Sequence, residues 1–224
     1  MGFWSTVGSC VSSAVSMVSS AVSSIGSSLG TLANTVLKVA GPWIGPISQI
    51  VSAVAQLLGV FKKEDDPEEL GAKAMQSDKK PEDFGSSAEY IEHLRNEVTL
   101  DKEKFEEAGK VERAARLAIG TGIAMRGINE NKGFDVPVET WLAMAKLGLE
   151  GKAQEVDRLL EAFKDGKLED FAQYVDGKLD IKTEKEVGDT LVEMYQALEP
   201  DVSIDEIEDK VMKMEVGDIE PKDK

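Results

Sequence analysis

Side chains able to do bond-making chemistry are scarce in this sequence. It holds one cysteine, Cys10, and one histidine, His93. A lone thiol excludes an internal disulfide, and a lone histidine gives poor support to a zinc cluster or a Ser-His-Asp triad. Cys10 lies beside an apolar seam and reads as a small packing residue. His93 stands between Glu92 and Leu94 and reads as a surface or flanking histidine rather than a pH switch. Gly120-x-Gly122 suggests a phosphate loop, yet no strand pattern precedes it and no Lys-Ser/Thr pair follows. Close helix packing is the better reading of those glycines. Residues 129–139 are rich in Asn, Gly and acids, as calcium loops are. With Gly133 in sixth place, Ile128 and Lys132 occupy ligand positions one and five; with Gly177 there, Ala172 is the first ligand. Both arrangements fail the rule. The acidic pairs Glu68-Glu69 and Glu106-Glu107 have no convergent partners and read as solvated faces rather than glycosidase carboxylates. The expectation is a protein with no catalytic residue, no metal and no cofactor.

What remains is architecture. The 224 residues carry 26 Lys+Arg and 42 Asp+Glu, a formal net charge of −16. Phosphate neutralisation supplies much of nucleic-acid affinity, so so acidic a chain is not expected to bind nucleic acid. The charge is unevenly placed: residues 1–61 hold one charged side chain, Lys38, and no acid. Two environments are addressed by one chain.

Within the uncharged segment, Val11, Val15, Val18, Val22, Ile25, Leu29, Leu32 and Val36 alternate spacings of four and three. That is the seam of a heptad helix, predicted over about residues 5–39. The flanking positions hold serine where a water-soluble coiled coil carries Glu and Lys. Small residues recur four apart, as in Ser12/Ser16, Ser19/Ser23 and Gly26/Gly30, a spacing that lets helix backbones approach closely in membranes. The run from Gly41 to Pro46 predicts a turn. A second helical pattern follows through Ile47, Ile50, Val51, Val54, Leu57, Leu58 and Phe61, ending at Lys62-Lys63. The two make a helical hairpin.

Six branched aliphatics between Val11 and Gly30 favour insertion by about −2 to −4 kcal/mol in total, against nine serines. A lone helix inserts marginally, but several helices that turn their serine rows inward would line water. On this reading the seam faces lipid or neighbouring helices, and Ser13, Ser16, Ser20, Ser23 and Ser27 line a pore. Trp4, Trp43, Phe61, Lys62 and Lys63 are then interfacial anchors. The alternatives are a seam that packs in water, on the remainder of the chain or on copies of itself, and a disordered low-complexity tail. Met1–Cys10 lacks the basic start of a signal peptide, so no cleavable leader is expected. Gly2 with Thr6 formally matches a myristoylation pattern, too short to carry weight beside bulky Phe3 and Trp4.

Beyond Lys63 the reading is a charged linker over 62–85, with room for one short helix, then an acidic all-α domain over 86–216 and a polar tail over 217–224. Ser86 to Glu89 resembles a capping box. Helices are expected near 110–128, from Pro137, and over 153–164, 168–175, 184–198 and 204–214. Thr183/Glu186 and Ser203/Glu206 are expected to cap the last two. Asp165-Gly166 and Asp176-Gly177 are turns. The fold class is all-α, a Ser/Val heptad hairpin followed by an acidic multi-helix bundle, with the two segments expected to be separable.

An uncharged Ser/Gly/Val-rich helical segment joined to a small acidic domain resembles the small pore-forming effectors of bacterial type VI secretion. The resemblance covers about the first 60 residues and carries over no functional residue. It implies delivery into a competitor cell, ion leakage and a dedicated immunity protein. The expected partners are the lipid bilayer of a target-cell membrane, further copies in a homo-oligomer, and a chaperone or immunity protein. The chain also looks somewhat like phage internal proteins that build an envelope conduit. The expected function is therefore a membrane-active pore former. A structural or assembly protein, and an acidic adaptor for a protein partner, are the alternatives.

Overall fold

A computed structural model describes the backbone of residues 3–217 and 219, with side chains from residue 9 onward. Among these residues the chain is all-helical. The uncharged segment forms α1 (Phe3–Ser20), α2 (Val22–Ile25) and α3 (Ser27–Ala40), then a 3-10 turn (Gly41–Trp43) and α4 (Ile44–Leu57). The acidic remainder forms α5 (Pro67–Gln76), a 3-10 turn (Pro81–Asp83), α6 (Ser87–Asn96), α7 (Lys102–Glu106) and α8 (Lys110–Lys132). It continues through α9 (Val138–Lys146), α10 (Ala153–Ala162), α11 (Leu168–Val175), α12 (Ile181–Leu198) and α13 (Ile204–Met212).

The single helix expected over residues 5–39 is broken. The chain reverses at Gly26, whose φ of 78° lies in the left-handed region that favours glycine. A Cβ on Gly30 would fall 2.8 Å from Val22 Cγ2, so α2 folds back against α3. Asn34 Nδ2 donates to Ser19 Oγ at 3.2 Å, which lays α3 antiparallel to α1. The hairpin therefore closes at Gly26, while the Gly-Pro run between residues 41 and 46 leads into a further helix. Heptad spacing survives the reversal because Ile25 and Leu29, on either side of it, both enter the core. α4 stops at Leu57; Gly59 (φ 73°) turns the chain, and Phe61 folds back into the interior, 3% exposed.

Residues 62–85 are packed structure rather than a linker. Asp66 caps α5 by accepting from Glu69 N at 2.8 Å, and Pro67 opens its first turn. α5 then lies antiparallel on α8 with the two backbones touching. A Cβ on Gly120 would sit 1.7 Å from the Pro67 carbonyl oxygen, and one on Gly71 would sit 1.9 Å from that of Arg116. Close packing is indeed what Gly120 is for. α8 is the axis of the molecule: α5 takes one side, and α1, α3 and α4 take another. One hydrophobic core runs from Ala14 to Met214 and includes Trp141, Phe163 and Phe171.

Two smaller expectations change. Asp180, not Thr183, caps α12, accepting from Lys182 N at 3.0 Å and Thr183 N at 3.2 Å; three donors satisfied from one carboxylate start the helix earlier. His93 is buried rather than superficial, 6% exposed, with its ring between Ser77 Oγ at 3.3 Å and Glu97 Oε2 at 3.1 Å. Ser203 and Glu206 do form the capping box that opens α13.

Candidate functional site

The uncharged segment and the surface that holds it are the feature that sets this chain apart from an ordinary acidic bundle. Its seam points inward. Val18, Ile25, Leu29, Val36, Ile47, Ile50 and Val54 are at most 1% exposed. Val11, Val15 and Leu32 pack partly buried against the core, and the half-buried Val22 lies against Gly30 of α3. Leu57 departs from the pattern: it is 45% exposed, on the last residue of α4 and turned from the core. On the facing side α8 supplies small residues. Gly122 admits Leu29 and Leu32, a Cβ there lying 3.1 Å from Leu29 Cδ1, and Gly127 admits Val60 at 2.4 Å. These glycines let thick aliphatic side chains approach the helix axis.

The serine rows point outward. Ser13, Ser16, Ser20, Ser23 and Ser27 are all exposed, together with Ser12, Ser19 and Ser28. Several hydroxyls bond back to their own helix: Ser16 to Ser12 O at 3.1 Å, Ser19 to Val15 O at 2.8 Å and Ser20 to Ser16 O at 2.9 Å. Such bonds satisfy the hydroxyl without a partner helix, in water or in lipid. Within the folded chain the named serines thus face outward and the named seam residues face inward or are half-buried, Leu57 excepted.

The expected anchors do not form one belt. Trp43 is half-buried against the core, Phe61 is in it, and Lys62 and Lys63 are exposed. The side chain of Trp4 and the residue Gly2 lie outside the described residues. Instead, polar groups fasten the segment at two points. At the hinge, the Glu82 carboxylate rests on Gly26, where a Cβ would meet its Oε2 at 2.1 Å. At the exit, Arg95 Nη2 donates to Val60 O at 3.2 Å and Arg95 Nε donates to Asp65 Oδ1 at 2.8 Å. The Asp65 and Glu92 carboxylates hold the Arg95 guanidinium charged, raising its pKa against the opposing effect of burial. Between these points the segment carries one charged side chain, the exposed Lys38, and positions 9–37 carry none.

No protein-family model, curated protein or solved structure matches the chain. No helix among the described residues is long and apolar enough to cross a membrane. Among those residues, too, no group of three or more His, Cys, Asp or Glu side chains is placed to hold a metal ion.

Sequence reasoning missed a groove where the uncharged segment meets the α8–α9 connection. It has a volume of about 730 Å³ and lies between Leu29 and Leu32 of α3 and residues 126–139. The Asn/Gly/acid composition of residues 129–139 was the available signal, and it concerns a wall rather than a calcium loop. Asn129 Nδ2 donates to Asp135 Oδ1 at 3.0 Å and Val136 N donates to Asn129 Oδ1 at 3.2 Å, locking the turn that Gly133 (φ 76°) begins.

Proposed function

We propose that this protein is a membrane-active effector whose uncharged α1–α4 segment leaves the fold and inserts as an oligomer, its serine rows lining water. The observation that carries the reading is the kind of contact that holds the segment. Its seam meets α8 through aliphatic side chains and glycines, with no charge on the segment from residue 9 to residue 37. Apolar burial is non-directional, so a bilayer offers those side chains an equivalent environment. Release abandons no buried ion pair along that stretch, and breaking such a pair would cost about 3–5 kcal/mol. Ser16, Ser19 and Ser20, already bonded to their own helix, add little further cost. The acidic remainder, which disfavours approach to an anionic surface, stays in water. No single helix serves as a span, so conduction requires several chains that share their polar rows. Delivery into a target cell, as in the type VI effectors that the segment resembles, would supply the occasion for release.

The test is a lock. Leu32→Cys with Gly122→Cys, in a Cys10→Ser background, would join α3 to α8 across a contact where a Gly122 Cβ lies 3.6 Å from Leu32 Cγ. Liposome dye release by the reduced protein and none by the oxidised protein is expected. If the unmodified full chain releases no dye at any lipid composition, the reading fails. A second reading, an adaptor or assembly protein, is favoured by one observation: the seam is already used within the chain as part of a continuous core. It predicts no leakage and no change on locking.

A further inference from the structure

We infer that the groove between α3 and the α8–α9 connection is a docking site for a basic amphipathic helix of a partner protein. Its floor is apolar, built from Leu29, Leu32 and Phe134. Its rim carries Glu130, Asp135 and Glu139, all exposed. The one cation on the lining, Arg126, is engaged with Glu130 through Nε at 3.3 Å. Glu130 is further held by Ser87, whose N and Oγ both donate to it at 2.7 Å, and these bonds outweigh burial and keep its carboxyl below the usual range. The rim is therefore anionic at neutral pH, within a molecule of net charge −16. An anionic ligand is repelled from such a rim, and a purely apolar one leaves it unmatched. A helix with an apolar stripe and flanking Lys or Arg answers both surfaces.

Two further facts select a helix. The chain is all-helical among its described residues and offers no strand edge there for an extended peptide to join. The groove is also preformed: the Asn129 bonds fix its wall, so little ordering cost falls on binding. Its volume of about 730 Å³ suits a few large side chains from successive helical turns. An occupant would press on Leu32, above the buried Leu29, while touching residues 130–139, and so would pin α3 to the acidic remainder. The site does not depend on the membrane reading, although a partner seated there would hold the segment in place.

The test uses the full-length protein and fluorescence anisotropy. The probe is a labelled Leu/Lys amphipathic helix of about 15 residues, compared with Leu/Glu and Ser/Lys peptides of the same length. The Leu/Lys peptide should bind, and the other two at least about tenfold more weakly. Asp135→Asn with Glu139→Lys should weaken binding by about tenfold or more. Asp209→Asn with Glu208→Lys on α13, which alters net charge equally, should change it by less than about twofold. Equal loss from both pairs would reduce the effect to total charge and overturn the proposal. Equal binding of Ser/Lys would remove the apolar floor, and equal binding of Leu/Glu would remove the rim; either result also overturns it. Loss of liposome leakage in every form would sink the membrane reading while leaving this result untouched.

Discussion

A carboxylate at position 18 would replace a valine that is 0% exposed, whereas one at position 20 would replace an exposed serine. Val18→Asp should therefore cost about 3–5 kcal/mol in urea unfolding, the penalty of an unpaired charge in a core. Ser20→Asp, at the end of α1, should cost less than about 1 kcal/mol. Only the second substitution is informative about a pore, because the first damages the folded form before any membrane is met. Ser20→Asp that still leaks dye, with preference shifted toward cations, is the expected outcome; a leak abolished in a fully folded variant would count against serine-lined conduction. Single residues were legible in proportion to their period. The valine seam and serine rows follow from heptad spacing alone, which fixes the buried face without naming what covers it. His93 was misread because its partner Ser77 lies 16 positions away and belongs to a stretch that composition marked as linker.

At the scale of elements, α5 meets α8 backbone to backbone, and the glycines there contrast with those elsewhere among the described residues. Gly120→Ala would drive a methyl group into the Pro67 carbonyl, a backbone atom unable to step aside, and should cost about 2–3 kcal/mol or more in thermal unfolding. Gly188, inside α12, has nothing within 4 Å of a built Cβ, so Gly188→Ala should stabilise by about 0.4–1 kcal/mol. Stabilisation by both changes would mean that α5 does not sit on α8. Helix existence was readable from caps and periodicity, as at Ser86, Pro137 and Ser203. α5 was harder to see because its alternation of small and charged residues, Gly71-Ala72-Lys73-Ala74, buries backbone rather than large side chains. The break at Gly26 was hidden for the reason already given: both flanking aliphatics point into the same core.

The whole molecule responds to acid through its ion pairs. Glu161 is bonded to Lys132 at 2.7 Å, which lowers its carboxyl below the usual 4.5 despite burial. At Asp176 burial works upward, but Lys146 and Lys178, at 2.6 and 2.7 Å, outweigh it and hold the group below 3.8. A depressed folded pKa means stability that is present above the unfolded value and lost as pH falls through the folded one. Glu68 works the other way, since burial raises its pKa and its contribution fades as pH rises. With more groups lowered than raised, the melting temperature should hold near neutrality and fall below about pH 4.5, with a shallower fall in Glu161→Gln. A melting temperature that climbs steadily below pH 4.5 would show relief of the −16 self-repulsion to be dominant instead.

The uneven placement of charge has a consequence for proteolysis. Trypsin cuts after Lys and Arg, and residues 1–61 offer it one site, Lys38, inside α3. The exposed Lys62-Lys63 pair lies just past the end of α4, in a stretch with no helix until Pro67. A cut at that pair divides uncharged from acidic almost to the residue. The contact between the pieces is aliphatic and continuous, so cutting the chain does not part them. The nicked protein should travel through a sizing column as one particle and separate into a fragment of 62 or 63 residues and its acidic complement only in detergent or denaturant.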